Sequence, residues 1–479
     1  MAFSATRIAP TVATGPHPRR WLVAAVMMVA ALMDLLDVTV VNVALPTIQS
    51  ELHASPSALA WVVSGYLLAF AALLLVAGQL GDMLGRRRLF LIGIGGFGLA
   101  SLACALARNA GELDAFRAVQ GAAAAIMVPQ VLATFRTVFA GKERAAAFGM
   151  YGAVAGLASA LGLVVGGAVI SADLFGWGWR AVFAVNVPIA VASFAAALLL
   201  VPETRPAAPP RPQPIGAALL ASCLAAIVYP LLEGQRLGWP GWGWAMLGSG
   251  IVGLLLFGLV ERRDHGRHAS PLLNPRMLRI PAVGAGLLVQ LAFSFGLQGF
   301  FFVFALWLQS GQRYTALHAG LVTIAFSLGS IVLSAVSIQL APRLGRWILV
   351  AGGLLMALGA TLICLVAQHS GHGIGVWQLV PGLFIAGAGL ALLIVPLVNV
   401  VLAAVPAEVA GSASGVFSTA QQLGGALGVA ITGAVFFSQT RSAELTGAFT
   451  HAMPVVIAVF LAAALIALTL PRTAVTDVY

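Results

Sequence analysis

The 479 residues are 60% hydrophobic and only 8% charged, against roughly 25% charged residues in a soluble globular domain. That excludes a water-soluble domain and predicts an all-α polytopic membrane protein. A net charge of +10 raises nucleic acid as a partner, but the basic residues are distributed as membrane topology requires, so no nucleic acid is expected.

In chain order, residues 1–20 form an arm containing Pro10, Pro16 and Pro18. The apolar run behind it is too long, and lacks a small-residue cleavage site, for a secretory leader. Runs near the roughly 20 residues that a bilayer demands of a helix then follow at Trp21–Val43, Ala58–Leu80, Leu89–Ala107, Ala115–Phe135, Ala145–Ile170 and Ala181–Val201. A linker, 202–214, precedes two more, Ile215–Leu232 and Trp242–Val260, and a loop, 261–281, precedes the last six. These are Ala282–Leu308, Ala319–Leu340, Trp347–Ala367, Val376–Ala404, Ser412–Phe437 and Ala452–Leu470, with a tail at 471–479. The expected organisation is therefore fourteen spans: a bundle over 21–201, an inserted pair over 215–260 and a second bundle over 282–470.

With an even number of spans, only Arg108, Arg180, Arg236, Arg313 and Arg441 fall on the side opposite the termini, and Arg117 lies within a span. All other Lys and Arg residues share the side of the termini, which the positive-inside rule makes cytoplasmic. Cys104, Cys223 and Cys364 fall within spans and read as small apolar packing, not as a disulfide framework.

Two internal matches indicate a repeat. QLGDMLGR, Gln79–Arg86, pairs with QLAPRLGR, Gln339–Arg346, and VPQVLATF from Val128 pairs with VPLVNVVL from Val395, at offsets of 260 and 267 residues. Similar offsets imply two six-helix halves in parallel with a pair inserted between them. Secondary transporters are built from such repeats, with the substrate site near the midplane between the halves.

The run GQLGDMLGRRRLF, Gly78–Phe90, resembles the loop signature of the major facilitator superfamily, and FRAVQGAAAA from Phe116 resembles its helix-four motif. LDVTVVNVALP, Leu36–Pro46, resembles the helix-one motif of the superfamily's fourteen-helix drug:proton antiporter branch, and WRAVFAVNVPIA from Trp179, LWLQSGQRYTALHAGL from Leu306 and GSASGVFSTAQQLGGALG from Gly411 carry the likeness along the chain. The resemblance implies the major facilitator fold and multidrug efflux by antiport. One departure is GLVVGG, Gly162–Gly167, where Leu163 stands at the position of an expected proline.

The first span carries Asp34 and Asp37 in otherwise apolar surroundings. If that helix centres near residue 33, Asp34 sits at the midplane and Asp37 about 6 Å beyond it, on one face. An ionised carboxylate at that depth costs on the order of 3 kcal/mol, so this face must meet a cavity or a partner. Two neighbouring carboxylates in low dielectric also hinder each other's ionisation, which favours holding a proton. Asp37 matches the family motif and is the first candidate for proton coupling, Asp34 the second; a structural ion pair is the plainer reading. Arg117 has two candidate partners, Asp37 at similar depth or Asp114 one turn earlier.

In the loop signature, Gly78, Gly81 and Gly85 permit tight turns and close contact, and Arg86, Arg87 and Arg88 face the cytoplasm. The resemblance gives Asp82 a switch role, docking on the positive amino end of helix thirteen near Gly411 and Ser412; the alternative is topogenic charge with an incidental Asp. Gly162, Gly166 and Gly167 read as close helix packing, and the resemblance implies that such packing seals the cytoplasmic gate. Tyr66, Phe293, Gln298, Phe301, Trp307, Asn399 and Gln421 are candidates to line a substrate cavity, with core packing as the alternative for each.

Nothing points to enzymatic chemistry. Gly93, Gly95 and Gly98 form a GxGxxG without a preceding strand, the one lysine, Lys142, precedes Glu143 and not Ser or Thr, and the pairs His265/His268 and His369/His372 have no acidic or thiol company. The expectation is a proton-coupled exporter of amphipathic and lipophilic compounds in the cell (inner) membrane. It needs no metal and no cofactor beyond the proton gradient, and functions as a monomer whose partners are substrate, protons and lipid. A dedicated exporter of one metabolite, natural product or lipid-like compound is the alternative.

Overall fold

The computed structural model describes residues 19–173, 176–204, 214–264, 277, 280–370, 373–405, 410–439 and 444–471. Most of the arm, of the linker 202–214 and of the loop 261–281, His265, His268 and His372, and the tail beyond Pro471 lie outside the described residues. Among the described residues there is no strand. The helices are α1 (Arg20–Leu52), α2 (Pro56–Leu84), α3 (Arg86–Ala105), α4 (Ala110–Val138), α5 (Gly141–Ala172), α6 (Arg180–Ala184), α7 (Asn186–Leu200), α8 (Pro214–Leu237) and α9 (Gly241–Asp264). They continue with α10 (Pro281–Leu306), a π-helical turn (Trp307–Gly311), α11 (Ala316–Val322), α12 (Ile324–Leu344), α13 (Arg346–Ser370), α14 (Val376–Ala403), α15 (Ala410–Gln439) and α16 (Leu445–Ala467).

Twelve helices are long and apolar enough to cross a membrane, and two shorter apolar stretches, Leu161–Ala172 and Ala218–Gly234, lie within α5 and α8. The chain is an all-α multi-pass membrane protein.

Polar contacts fix the two ends of the bundle. At the end where α1 begins, Arg20 grips Glu143 of α5 through Nε and Nη2 at 2.7 and 2.8 Å, and Arg346 of α13 donates to the carbonyl of Leu468 beyond α16. We call this the near end. At the far end, Glu51 of α1 accepts from the Trp179 indole and from Arg180, and Arg180 reaches the Ala107 carbonyl. Arg86, Arg87 and Arg88 lie at the near end, as the charge distribution predicts.

Local signals set the helix ends. Ser55 caps α2 by accepting from the Ala58 amide, with Pro56 in the first turn, where its missing N–H costs nothing. Asn109 caps α4 by accepting from the Glu112 amide. α1 runs nine residues past the predicted end at Val43, through Pro46. Its centre therefore moves from residue 33 to near residue 36, so Asp37 and not Asp34 lies at mid-helix. The sixth span breaks at Val185 into α6 and α7, because Pro188 has no N–H for the Ala184 carbonyl.

The inserted pair packs on itself, and α8 also lies against α2 and α15. It therefore spans the seam between the two halves. Glu233 of α8 is buried and accepts from the Trp61 indole of α2 at 3.0 Å and from Arg236 at 2.5 Å, a polar tie that a lipid-facing helix would not hold.

Candidate functional site

The centre of the N-terminal half is a closed hydrogen-bond network. Asp37 has a fully buried carboxylate paired with the equally inaccessible Arg117, Nη1 to Oδ2 at 2.5 Å. Its Oδ1 accepts from Gln120 Nε2 at 2.9 Å and from Asn186 Nδ2 at 3.0 Å. Three helices thus converge on one side chain: α1 supplies it, α4 gives Arg117 and Gln120, and α7, starting at the break after α6, brings up Asn186. The Gln120 amide also donates to Ser101 of α3 at 2.8 Å, while its oxygen accepts from Arg117 at 2.6 Å, so its orientation is fixed by both ends.

Arg117 spends its remaining donors locally. Its Nε donates to the Val62 carbonyl at 2.9 Å, and its guanidinium carbon lies 4.4 Å from the centre of the Tyr66 ring and 5.6 Å from that of Phe183, where a desolvated cation gains about 2 kcal/mol from each well-placed aromatic face. The Asp37 alternative is therefore realised: Asp114 has a buried Oδ1 with no hydrogen-bond partner. The long arginine side chain makes up the difference in depth that the lengthened α1 introduces. Asp34, also buried, accepts from the Tyr66 hydroxyl. The candidate triad Asp34, Asp37 and Arg117 is one cluster.

The loop signature is also brought together. Gly85 has φ +109°, open to glycine at no steric cost, and a Cβ there would strike the Glu203 carboxylate. Glu203 accepts from the Arg87 amide at 3.3 Å and faces Arg88 at 3.9 Å, while Arg87 donates to the Leu198 carbonyl. Asp82 pairs with Arg86 at 2.8 Å, and Arg86 also donates to the Ala133 carbonyl at 3.1 Å. Among the described contacts the partner of Asp82 is Arg86 of its own loop; the side chain of Ser412, beside Gly411, lies outside the described residues. Gly78 faces open space: a Cβ added there meets nothing within 4 Å.

The helix-five glycines require a correction. Gly162 and Gly166 pack against Thr39 and Val40 of α1, and Gly167 abuts the backbone of Ala316 and Leu317 of α11, while Gly320 of α11 abuts the Leu163 carbonyl. They pack at the far end, opposite the arginine-rich loops, whereas the expectation put the seal on the side of those loops. The reason is direction: α5 starts at the near end at Gly141, so its last third reaches the far end. Leu163 joins Val43 and Ala316 in a small apolar cluster there, and α5 runs through it unbroken. Gln309, in the π-helical turn, completes the closure by donating to the Val43 carbonyl at 3.0 Å.

The candidate cavity residues scatter. Phe293 and Trp307 are fully buried in the C-terminal half; Trp307 stacks on Phe449 with ring centres 4.3 Å apart and donates to Thr446. Tyr66 belongs to the charged cluster. Phe301 packs edge-on against Phe326 and against the far-end cluster. Gln298 lies where α2, α10 and α15 meet, beside Gly425, Gln421 is half-buried and Asn399 exposed. A cavity of about 420 Å³ lies elsewhere, at the far end between α2, α8 and α15, lined by Ala60, Leu232, Trp239 and Phe437 among others. These helices are apolar all round, so sequence alone does not separate a neighbour-facing aromatic from a cavity-facing one. Gln120, Ser101, Asn186 and Glu203 were not singled out from sequence. Gln120 and Asn186 sit inside quoted motifs, as amides in apolar helices, which was the available signal.

A conformationally switching membrane transporter is the class that this two-half bundle with a buried charged cluster defines. The chain belongs to the Major Facilitator Superfamily, whose family model matches residues 27–217 and 207–429. It is 40% identical over 431 residues to a probable actinorhodin transporter of Streptomyces coelicolor, covering 89% of this chain and 74% of that protein. It is 35% identical over 446 residues to a puromycin resistance protein of Streptomyces alboniger, covering 92% and 86%. Among solved structures, an auto-inhibited peptide transporter of the POT family shares the fold with a TM-score of 0.69 at 15% identity, covering 96% of this chain and 99% of that one.

Proposed function

We propose that this protein is a proton-driven exporter of amphipathic organic compounds, antibiotics among them, of the fourteen-helix antiporter branch. The observation that carries the reading is the buried cluster of Asp34, Asp37 and Arg117, because ionisable groups at such depth mark proton and substrate pathways by default. The names of the relatives, an actinorhodin transporter and a puromycin resistance protein, support export and set the substrate class. A proton falling through about 100 mV and one pH unit releases roughly 3.7 kcal/mol, enough for several-hundred-fold accumulation of a neutral compound.

In this reading the protein works as a monomer in the cell membrane, with the near end cytoplasmic by the positive-inside rule. No cofactor enters beyond the proton gradient. The far-end contact of α5 with α11 is the closure that must open for release, and the Asp82 loop is the near-end counterpart. Protonating one carboxyl of the pair lowers the negative charge around Arg117, and so couples charge to the packing of α1, α2 and α4.

The test is uptake of puromycin into proteoliposomes under an imposed pH gradient. Gradient-dependent accumulation supports the proposal; uptake indifferent to the gradient refutes proton coupling. Chemically unrelated lipophiles that compete with puromycin favour a multidrug exporter, and their failure to compete favours an exporter dedicated to one compound.

A further inference from the structure

Asp34 and Asp37 have one guanidinium between them, and they do not share it equally. Both oxygens of Asp37 are taken: Oδ2 by Arg117, Oδ1 by Gln120 and Asn186. All three partners offer N–H groups, which donate and do not accept. A proton on Asp37 would point at one of these donors, and Gln120 has no freedom to flip its acceptor inward because that oxygen already receives Arg117. Every described hydrogen bond to Asp37 is one that a carboxylate accepts.

Asp34 differs on each count. Its one described hydrogen bond is from the Tyr66 hydroxyl, a group that accepts as readily as it donates and so tolerates either state of the acid. Around it lie Asp37 on its own helix, Tyr66 on α2, Arg117 on α4 and Tyr151 on α5, while Cys104 on α3 and Asn186 on α7 face Asp37 and its partners; α10 carries no ionisable residue. The one cation in that set is already paired. A second carboxylate there would be buried without a counter-charge, which proteins avoid by neutralising the group.

We propose that Asp34, held by the Tyr66 hydroxyl, is the carboxyl that takes up and releases the transported proton, while Asp37 remains ionised against Arg117 as a fixed charge. This assignment rests on the proton-driven reading above. It reverses the priority that the helix-one motif alone gave to Asp37, and it makes Tyr66 a positioning residue.

Infrared difference spectra of the purified full-length protein, recorded on stepping the pH, show a protonated carboxyl directly through its C=O stretch. In an Asp114→Asn background, used because Asp114 also carries a buried, unpartnered oxygen, one buried-carboxyl band is expected to grow as pH falls, and Asp34→Asn to lack it. Tyr66→Phe should keep the band but titrate at higher pH, because a hydroxyl donor stabilises the carboxylate more than the acid. A band that survives in Asp34→Asn, or a Tyr66→Phe titration identical to that of the background, overturns the assignment. Gradient-driven puromycin uptake by wild-type proteoliposomes separates the two claims. With no uptake but the expected bands, the export reading fails and Asp34 stands as the titrating group. With uptake and a band that persists in Asp34→Asn, the export reading stands and the assignment falls.

Discussion

The two halves share a helix plan and differ in what they bury. The N-terminal half encloses Asp34, Asp37, Arg117, Gln120, Ser101 and Asn186, joined in one network across α1, α3, α4 and α7. The C-terminal half packs aromatic rings instead: Phe300 on Phe304, Phe301 against Phe326, Trp307 on Phe449. Its buried polar side chains, such as Gln290, Ser294 and Thr432, are uncharged. One half thus holds buried charge and the other packs apolar rings, a division that the proposed coupling would place in the N-terminal half.

The sharpest way to break this contrast is to unpair the ion pair. Arg117→Ala leaves Asp37 buried without its cation, at a cost of about 3–5 kcal/mol, and is expected to abolish gradient-driven uptake and lower thermal stability. Asp37→Asn is milder for the fold, yet it frees Arg117 to hold Asp34 ionised. Driven uptake should vanish while the protein folds and binds substrate, measured by puromycin binding beside uptake.

On the other half, Trp307→Ala removes a buried stacked ring and is expected to cost a similar 3–5 kcal/mol in a denaturation series, with the pH dependence of whatever uptake survives unchanged. A shifted pH dependence would spread the coupling over both halves. Selectivity is expected to follow the same division: with no buried carboxylate described in the C-terminal half, neutral and singly charged lipophiles should be exported in preference to dications. Efficient export of dications with poor export of monocations contradicts it.

The smallest effects are expected within the network's rim. Asn186→Ala removes one of three donors to Asp37 and should cost about 1–3 kcal/mol while leaving uptake proton-driven but slower. A complete loss of coupling would raise Asn186 to the level of Arg117.

Much of this was legible in the sequence. The all-α multi-pass fold, the near-end arginines and the intramembrane carboxylates follow from composition and depth, since lipid tolerates neither exposed backbone nor stray charge. The pairing of Arg117 with Asp37 was one of two choices that sequence offered, and depth along the helices pointed to it. What escaped depended on direction and three-dimensional neighbours. The glycines of α5 pack at the end opposite the arginine loops, a direction that a packing motif does not carry. Gln120 and Asn186 passed as helix residues, although Asn186 falls where Pro188 breaks the span. Phe293 and Trp307 were grouped with cavity candidates because an aromatic in an all-round apolar helix gives no sign of which neighbour it meets.

The most direct test of the division between the halves is proton release on substrate binding, followed in weakly buffered detergent solution over about pH 6 to 9, as puromycin is added to wild type, Asp34→Asn and Trp307→Phe. The account predicts release from wild type and from Trp307→Phe, and none from Asp34→Asn. Undiminished release from Asp34→Asn, or release lost in Trp307→Phe while puromycin still binds, would contradict it.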